Sequence, residues 1–358
     1  MKGTIVPALA PLPLSVWGRR RREALPFPLA EPGCRLFARA RNALHHALSE
    51  RLEPGSEILA PAFHHGSEIE AFEQAGLVCR FYDATETLAP DEAELDALLS
   101  TRTRALHLIH YFGFPQDVRR WRAWCDERGL LLVEDAAQAW LAAVDGQPVG
   151  LDGDVAVFCL YKSFGLPDGA ALVTRWPTNG TVPPAGKGLF WMALEHGLWL
   201  ATRTRAMAWL ADHWAWRIGT TEETMRVGRS TLPCAATLAA LPRVADGAVA
   251  ETRRRNYGRL LELLPDLVAL PFAGLPDGAS PFTFPAVFQD KPQALDRLRR
   301  NRVRALNLWS APHPSVPAGG FPQALELRRT LVGLPVHQEL RGGDVDRVAL
   351  AVRAALAE

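Results

Sequence analysis

Cysteine is scarce in this 358-residue chain: Cys34, Cys79, Cys125, Cys159 and Cys234 are the only five. The count is odd and no pair has metal-ligand or redox spacing, so the thiols read as reduced, in a cytoplasmic protein. An excess of charge is also missing. Forty basic residues against 39 acidic leave +1, and no global field recruits nucleic acid. No run of eighteen uncharged apolar residues occurs, which excludes a membrane-spanning helix. The opening stretch "MKGTIVPALAPLPLSVWGRRRREA" has its arginines after its apolar part, and Pro7, Pro11 and Pro13 interrupt that part. A signal peptide has the opposite order, so none is expected, and Arg19 to Arg22 reads as a solvated charge run. Internal repeats and low-complexity tracts are absent.

What is present is an ordinary globular composition, 48% hydrophobic and 22% charged, in a chain long enough for two domains. From about residue 35 to 175 helical and strand periods alternate. "RLFARARNALHHALSERL" reads as a helix, "EILAPAF" as a strand, "GSEIEAFEQAG" as a helix closed by Gly76, and "LVCRFYD" as a strand. "DEAELDALL", "RALHLIHYFG", "QDVRRWRAWCDERG" and "LLLVEDA" continue the alternation, and "DVAVFCLYK" and "GAALVTR" complete it. This is the pattern of an α/β domain with parallel strands and a ligand site beyond their carboxyl ends. The expected organisation is an N-terminal arm (1–34), a large α/β domain (35–244) and a small α+β domain (245–358). A tryptophan-rich helical insert at about 176–228 holds Trp191, Trp199, Trp209, Trp214 and Trp216. Charges interspersed in that insert rule out a bilayer span. It reads as a helical pair packed on the core or on a second subunit, with contact at a membrane surface as the other reading.

Two adjacent acids carry the functional question. In "RGLLLVEDAAQAW" the apolar run Leu130 to Val133 delivers Glu134 and Asp135 to the end of a strand buried on both faces. Carboxylates there either cap the next helix or hold something positive. In "FCLYKSFGLPDGAAL" a second apolar strand is read as ending at Tyr161-Lys162, which puts Lys162 at the same lip of the sheet. A lysine near a carboxylate is either an ion pair or a reactive amine, and these residues alone leave both open. Covalent carbonyl chemistry needs such an amine. A carboxylate facing a pyridinium nitrogen is what makes pyridoxal phosphate (PLP) an electron sink.

The blocks "ILAPAFHHGSEIEAFEQAG", "LHLIHYFGFPQD", "LLLVEDAAQAW", "DVAVFCLYKSFGLPDGAALV" and "LVGLPVHQEL" resemble, in order, those of the DegT/DnrJ/EryC1/StrS aminotransferases. The resemblance implies the aspartate-aminotransferase fold (PLP-dependent transferase fold type I) and PLP as cofactor. It further implies a homodimer and transfer of an amino group, from glutamate, to a keto-sugar attached to a nucleotide. That is chemistry of polysaccharide or secondary-metabolite biosynthesis. Carried over position by position, Lys162 is the Schiff-base lysine, Asp135 pairs with the pyridine nitrogen, and Gln138 lies beside the phenolic oxygen. His64 is placed where the family stacks a ring on the cofactor.

Several positions depart from the family. Its Ser-Gly-Thr phosphate run is replaced here by Arg39, Ala40 and Arg41, with Arg41 able to pair with phosphate directly. Cys159 stands in place of a serine before the lysine, and Tyr161 directly precedes Lys162. In "MRVGRSTLPCAATLAAL", Arg226 and Arg229 substitute for residues that the family lends to the neighbouring subunit's site. His313, in "WSAPHPS", falls where the small domain approaches substrate. Two other readings stand beside aminotransfer. One is a sugar dehydratase, which Lys162 opposes because histidine replaces the lysine in such members. The other is a catalytically silent homologue acting as scaffold or partner subunit, which the altered phosphate run favours and the retained Asp135 and Lys162 oppose. No metal site is expected.

Overall fold

The computed structural model describes residues 4–184 and 225–357. The five tryptophans of the expected insert lie outside the described residues. A seven-stranded sheet organises the first part of the chain. Its strands are β1 (Arg35–Phe37), β2 (Glu57–Pro61), β3 (Val78–Tyr82), β4 (Thr103–Ile109), β5 (Leu131–Asp135), β8 (Val155–Cys159) and β9 (Ala170–Thr174), with a small hairpin of β6 (Ala143–Val144) and β7 (Gln147–Pro148) between. The spatial order is β1-β9-β8-β5-β4-β2-β3. The core strands β3, β2, β4, β5 and β8 pair in parallel, as the alternating pattern requires, while β9 and β1 are antiparallel. The antiparallel edge has a local cause. Only ten residues separate β8 from β9, too few for the crossover a parallel partner needs. β1 is itself a correction: the stretch read as one helix from residue 35 begins as an edge strand and turns helical at α1 (Ala40–Ser49).

Strand alternation sorts the core. Ala105, Ile109 and Val133 face the layer that holds α1 and α2 (Ser67–Gln74). Leu106, Leu108 and Leu132 face α3 (Glu92–Leu98) and α4 (Val118–Arg128). Helix α4 shows how sequence sets position. Asp117 caps it by accepting from the Arg120 N–H, and Val118, Trp121 and Cys125 recur at helical spacing on the buried side. Gly129, at φ +63°, ends it. Each fully buried large side chain of that stripe contributes roughly 1.5–3 kcal/mol.

After α5 (Leu160–Phe164) and the undescribed stretch come α6 (Ala235–Val244) and the long α7 (Val249–Leu263). A three-stranded antiparallel sheet follows, in the order β10 (Phe284–Val287), β12 (Leu331–Leu334), β11 (Leu306–Asn307). Helices α8 (Lys291–Arg300), α9 (Pro322–Thr330) and α10 (Asp344–Ala357) flank it. Helices α6 and α9 and strand β11 were not anticipated from the sequence. The N-terminal segment ties the two sheets together: Val6 pairs with Val303, while Leu12 and Val16 pack into the core under α5 and α6. Among the described residues no helix is long and apolar enough to cross a membrane.

Candidate active site

Successive residues of β5 point to opposite faces, and this separates the two acids. Glu134 turns toward the α3–α4 side and is fully buried. It accepts from the N–H groups of Gly150 (2.8 Å) and Gly153 and lies 3.0 Å from His110 Nε2, so it is a structural clasp on the loop before β8. Asp135 turns the other way, into an open cavity of about 640 Å³. Its Oδ1 accepts from the Ala137 N–H (2.8 Å), and its Oδ2 lies 3.6 Å from Nε2 of the buried His107.

Lys162 enters the same cavity, but not from a strand end. Strand β8 stops at Cys159, and Lys162 rides on the five-residue helix α5, closed by Gly165 at φ +63°. The reason lies in the turn that brings β9 back antiparallel: the Leu160 N–H reaches the Gly169 carbonyl at 2.9 Å, and the intervening residues wind into one turn of helix. Arg253 of α7, itself buried, and Gln338 both donate to the Ser163 carbonyl, at 2.6 and 2.9 Å, and fix α5 in place. Burial pulls the Lys162 ammonium toward neutrality. The thiol of Cys159, the phenol of Tyr161 and the carboxylates of Asp135 and Glu68 outweigh that pull, so its pKa is raised above the ordinary lysine value.

Of the residues named from the sequence, Asp135, Gln138, Cys159, Lys162, Ala40 and Arg41 all line this cavity. Gln138 Oε1 accepts from the Phe112 N–H at 3.1 Å, which holds its amide in place. Burial raises the pKa of the Cys159 thiol, against the opposing pull of the Lys162 ammonium. Arg41 is the second residue of α1, whose first turn has no acid and no side-chain cap, and the Arg41 Nε is buried without a hydrogen-bond partner. Burial, then repulsion from Arg39, lowers its pKa. Arg39 lies over the Tyr161 ring at 5.0 Å.

Two expectations are corrected. His64 does not line the cavity. Its ring is fully buried, 5.7 Å from Phe81, with Nδ1 2.7 Å from the Pro61 carbonyl, and burial drives its pKa down to about 3. The next residue, His65, lines the cavity instead, because Gly66 at φ +110° turns the chain into α2 there. His313 is also elsewhere. It is buried against α2, its Nε2 3.2 Å from Glu70 Oε2. Arg226 and Arg229 are exposed and line no part of the cavity in their own chain.

Sequence reasoning missed Glu68 and Trp309. Glu68 is a buried carboxylate whose Oε1 accepts from the His65 N–H at 2.9 Å. Burial raises its pKa, but the imidazoles of His65, His64 and His107 and its own backbone N–H more than compensate, holding it below the carboxylate range. In the sequence it looks like any acid in a first helical turn. Trp309 arrives from beyond β11, with no local signal at all.

Residues 37–179 match the family model of the DegT/DnrJ/EryC1/StrS aminotransferase family. The matched segment carries Asp135, Gln138 and Lys162. The chain is 32% identical to GDP-perosamine synthase of Vibrio cholerae over 121 residues, 33% of each chain. Across 323 residues it is 28% identical to the dTDP-3-amino-3,4,6-trideoxy-alpha-D-glucose transaminase of Streptomyces venezuelae, covering 84% of this chain and 76% of that one. The first two curated relatives are matched over about a third of their length. The fold agrees with that of solved aminotransferases. The aminotransferase TlmJ from Streptoalloteichus hindustanus superposes with a TM-score of 0.69 at 23% identity, covering 100% of this chain and 99% of that one. The chain therefore has the fold of these solved aminotransferases.

Proposed function

We propose that the protein is a PLP-dependent aminotransferase that moves an amino group from an amino acid, glutamate by family resemblance, to a keto-sugar carried on a nucleotide. The observation that carries this reading is the convergence of Lys162, Asp135, Gln138 and Arg41 on one cavity from α5, β5, the turn after β5 and α1. The donor set fits the cofactor. Lys162 supplies the amine and Asp135 the carboxylate for a pyridinium nitrogen. The uncapped start of α1, with the orphaned Arg41 Nε, supplies donors for a phosphate. The silent-scaffold reading would leave this set without a purpose.

When bound, PLP supplies an electron sink for the pair left behind as a proton leaves the donor's Cα. The protein's own groups handle that proton and the orientation. Lys162 Nζ, once neutral, takes the proton from Cα and returns one on the same face, as general base and then general acid. Asp135, backed by the Ala137 N–H, keeps a positive charge favourable at the ring position it faces. Gln138 and Cys159 line the same cavity as the Lys162 amine.

The similarity to a GDP-perosamine synthase and a dTDP-amino-sugar transaminase supports a nucleotide-linked sugar as acceptor. A homodimer would give the exposed Arg226 and Arg229 a place at the partner's cavity. The test is a near-ultraviolet and visible spectrum of the protein with added PLP, beside Lys162→Ala. The expected result is a bound-cofactor band in the parent that glutamate bleaches and that the variant lacks. A parent that takes up no PLP would refute the reading.

A further inference from the structure

Trp309 occupies a position that its backbone resists. Its φ of +46° lies in the left-handed region, which a large aromatic residue rarely adopts and which persists only where the surroundings over-determine it. Two buried cations do so. Arg328 donates to the carbonyls of Trp309 (2.7 Å), Ala311 (2.9 Å) and Ala62 (2.7 Å). Lys291 donates to the carbonyl of Leu308 (2.6 Å) and to that of Arg328 itself (2.8 Å). Each cation is 3% exposed, an expensive burial for the sake of one loop.

The loop holds the indole at a fixed place. The ring is backed by Phe63, Tyr111 and Phe112, at centroid distances of 4.8, 5.8 and 5.6 Å, and the residue is half-buried, bordering the cavity that contains Lys162. Phe112 gives its N–H to Gln138, so the indole stands on the Gln138 side of the site, while Arg39 is stacked on Tyr161. A rigid, partly open indole backed by three rings is a flat apolar platform beside polar groups. The ligand chemistry that suits it is a pyranose, whose face of C–H bonds stacks on an aromatic plane while its hydroxyls reach polar neighbours. His65, on the β2–α2 turn, is a separate ring in the same cavity and leaves Trp309 free for that role.

We infer that Trp309, held by Arg328 and Lys291, is the platform on which the sugar ring of the amino acceptor stacks, and so makes the site select a sugar over a simple keto acid. The inference rests on the aminotransferase reading for the word acceptor, but stacking can be read independently of turnover. The experiment uses the PLP-loaded protein and a panel of UDP-, GDP- and dTDP-hexoses beside the free nucleoside diphosphates. Affinities come from calorimetry, and saturation-transfer NMR reports on the sugar-ring protons. With Trp309→Ala, the ratio of sugar-nucleotide affinity to free-nucleotide affinity should fall about tenfold, and with Trp309→Phe it should stay within about threefold of the parent. Saturation should reach the ring protons in the parent and in Trp309→Phe. A ratio unchanged in Trp309→Ala, no saturation at the ring protons, or a parent that binds no member of the panel would overturn the inference. The aminotransferase reading fails on a different readout: glutamate leaving the parent's visible spectrum unchanged.

Discussion

Two glycines with the same backbone conformation offer a clean test of how the N-terminal segment braces the lysine-bearing helix. Gly165 ends α5 at φ +63°, and Gly129 ends α4 at φ +63°. A methyl group built on Gly129 meets nothing within 4 Å, whereas on Gly165 it falls 2.3 Å from the Ala10 carbonyl oxygen and 2.5 Å from the Leu12 nitrogen. Alanine at either site carries the left-handed penalty, about 1 kcal/mol. At Gly165 the backbone of the segment must also retreat by roughly 1 Å, and overpacking of this kind costs about 1–3 kcal/mol more. If the segment peels away instead, the loss is the burial of Leu12 and Val16, about 2 kcal/mol each. Gly165→Ala is therefore expected to lose about 2–4 kcal/mol in chemical denaturation and Gly129→Ala about 1. Faster amide exchange over residues 6–16 should appear in Gly165→Ala alone. Equal losses in the two variants with unchanged exchange would refute the seating of the segment on this turn.

The division of labour between the paired acids is open to test through Glu134→Gln. The substitution turns an amide donor toward groups that need an acceptor, and it should cost about 2 kcal/mol while PLP uptake, read by the visible band, persists. Loss of the band with stability retained would reverse the roles assigned to Glu134 and Asp135. Histidine 64 governs an acid limb. Its folded pKa of about 3 lies below the ordinary 6.5, so the folded state binds fewer protons between those values, and the stability present above pH 6.5 is lost as pH falls toward 3. His64→Phe should flatten the decline in denaturant midpoint between pH 6.5 and 5, above the range where carboxylates such as Glu68 contribute. Parallel declines in both proteins would remove His64 as the cause.

The sequence made the lip of the sheet readable for a physical reason. A fully apolar strand such as Leu130 to Val133 has one place to go, the buried middle of a parallel sheet, and whatever polar residue follows it must emerge at the carboxyl end. That logic reached Asp135, and through the family blocks it reached Gln138 and Lys162. It could not separate Glu134 from Asp135 without the pleat, and it mistook Lys162 for a strand residue because one helical turn of "LYKSF" has too few residues to display a period. Beyond the strands it had still less to work with. In "FHHGSE" two adjacent histidines differ only in which side of the Gly66 turn they face, and the turn, not the residue type, sends His65 to the cavity and His64 to the core. Trp309 was further out of reach, since its place depends on Arg328 and Lys291, which come from two other helices and act on backbone carbonyls that carry no sequence signal. The legible residues are those whose position follows from one strand's period. The illegible ones are set by a backbone turn, as at Gly66, or by side chains distant in sequence, as at Trp309.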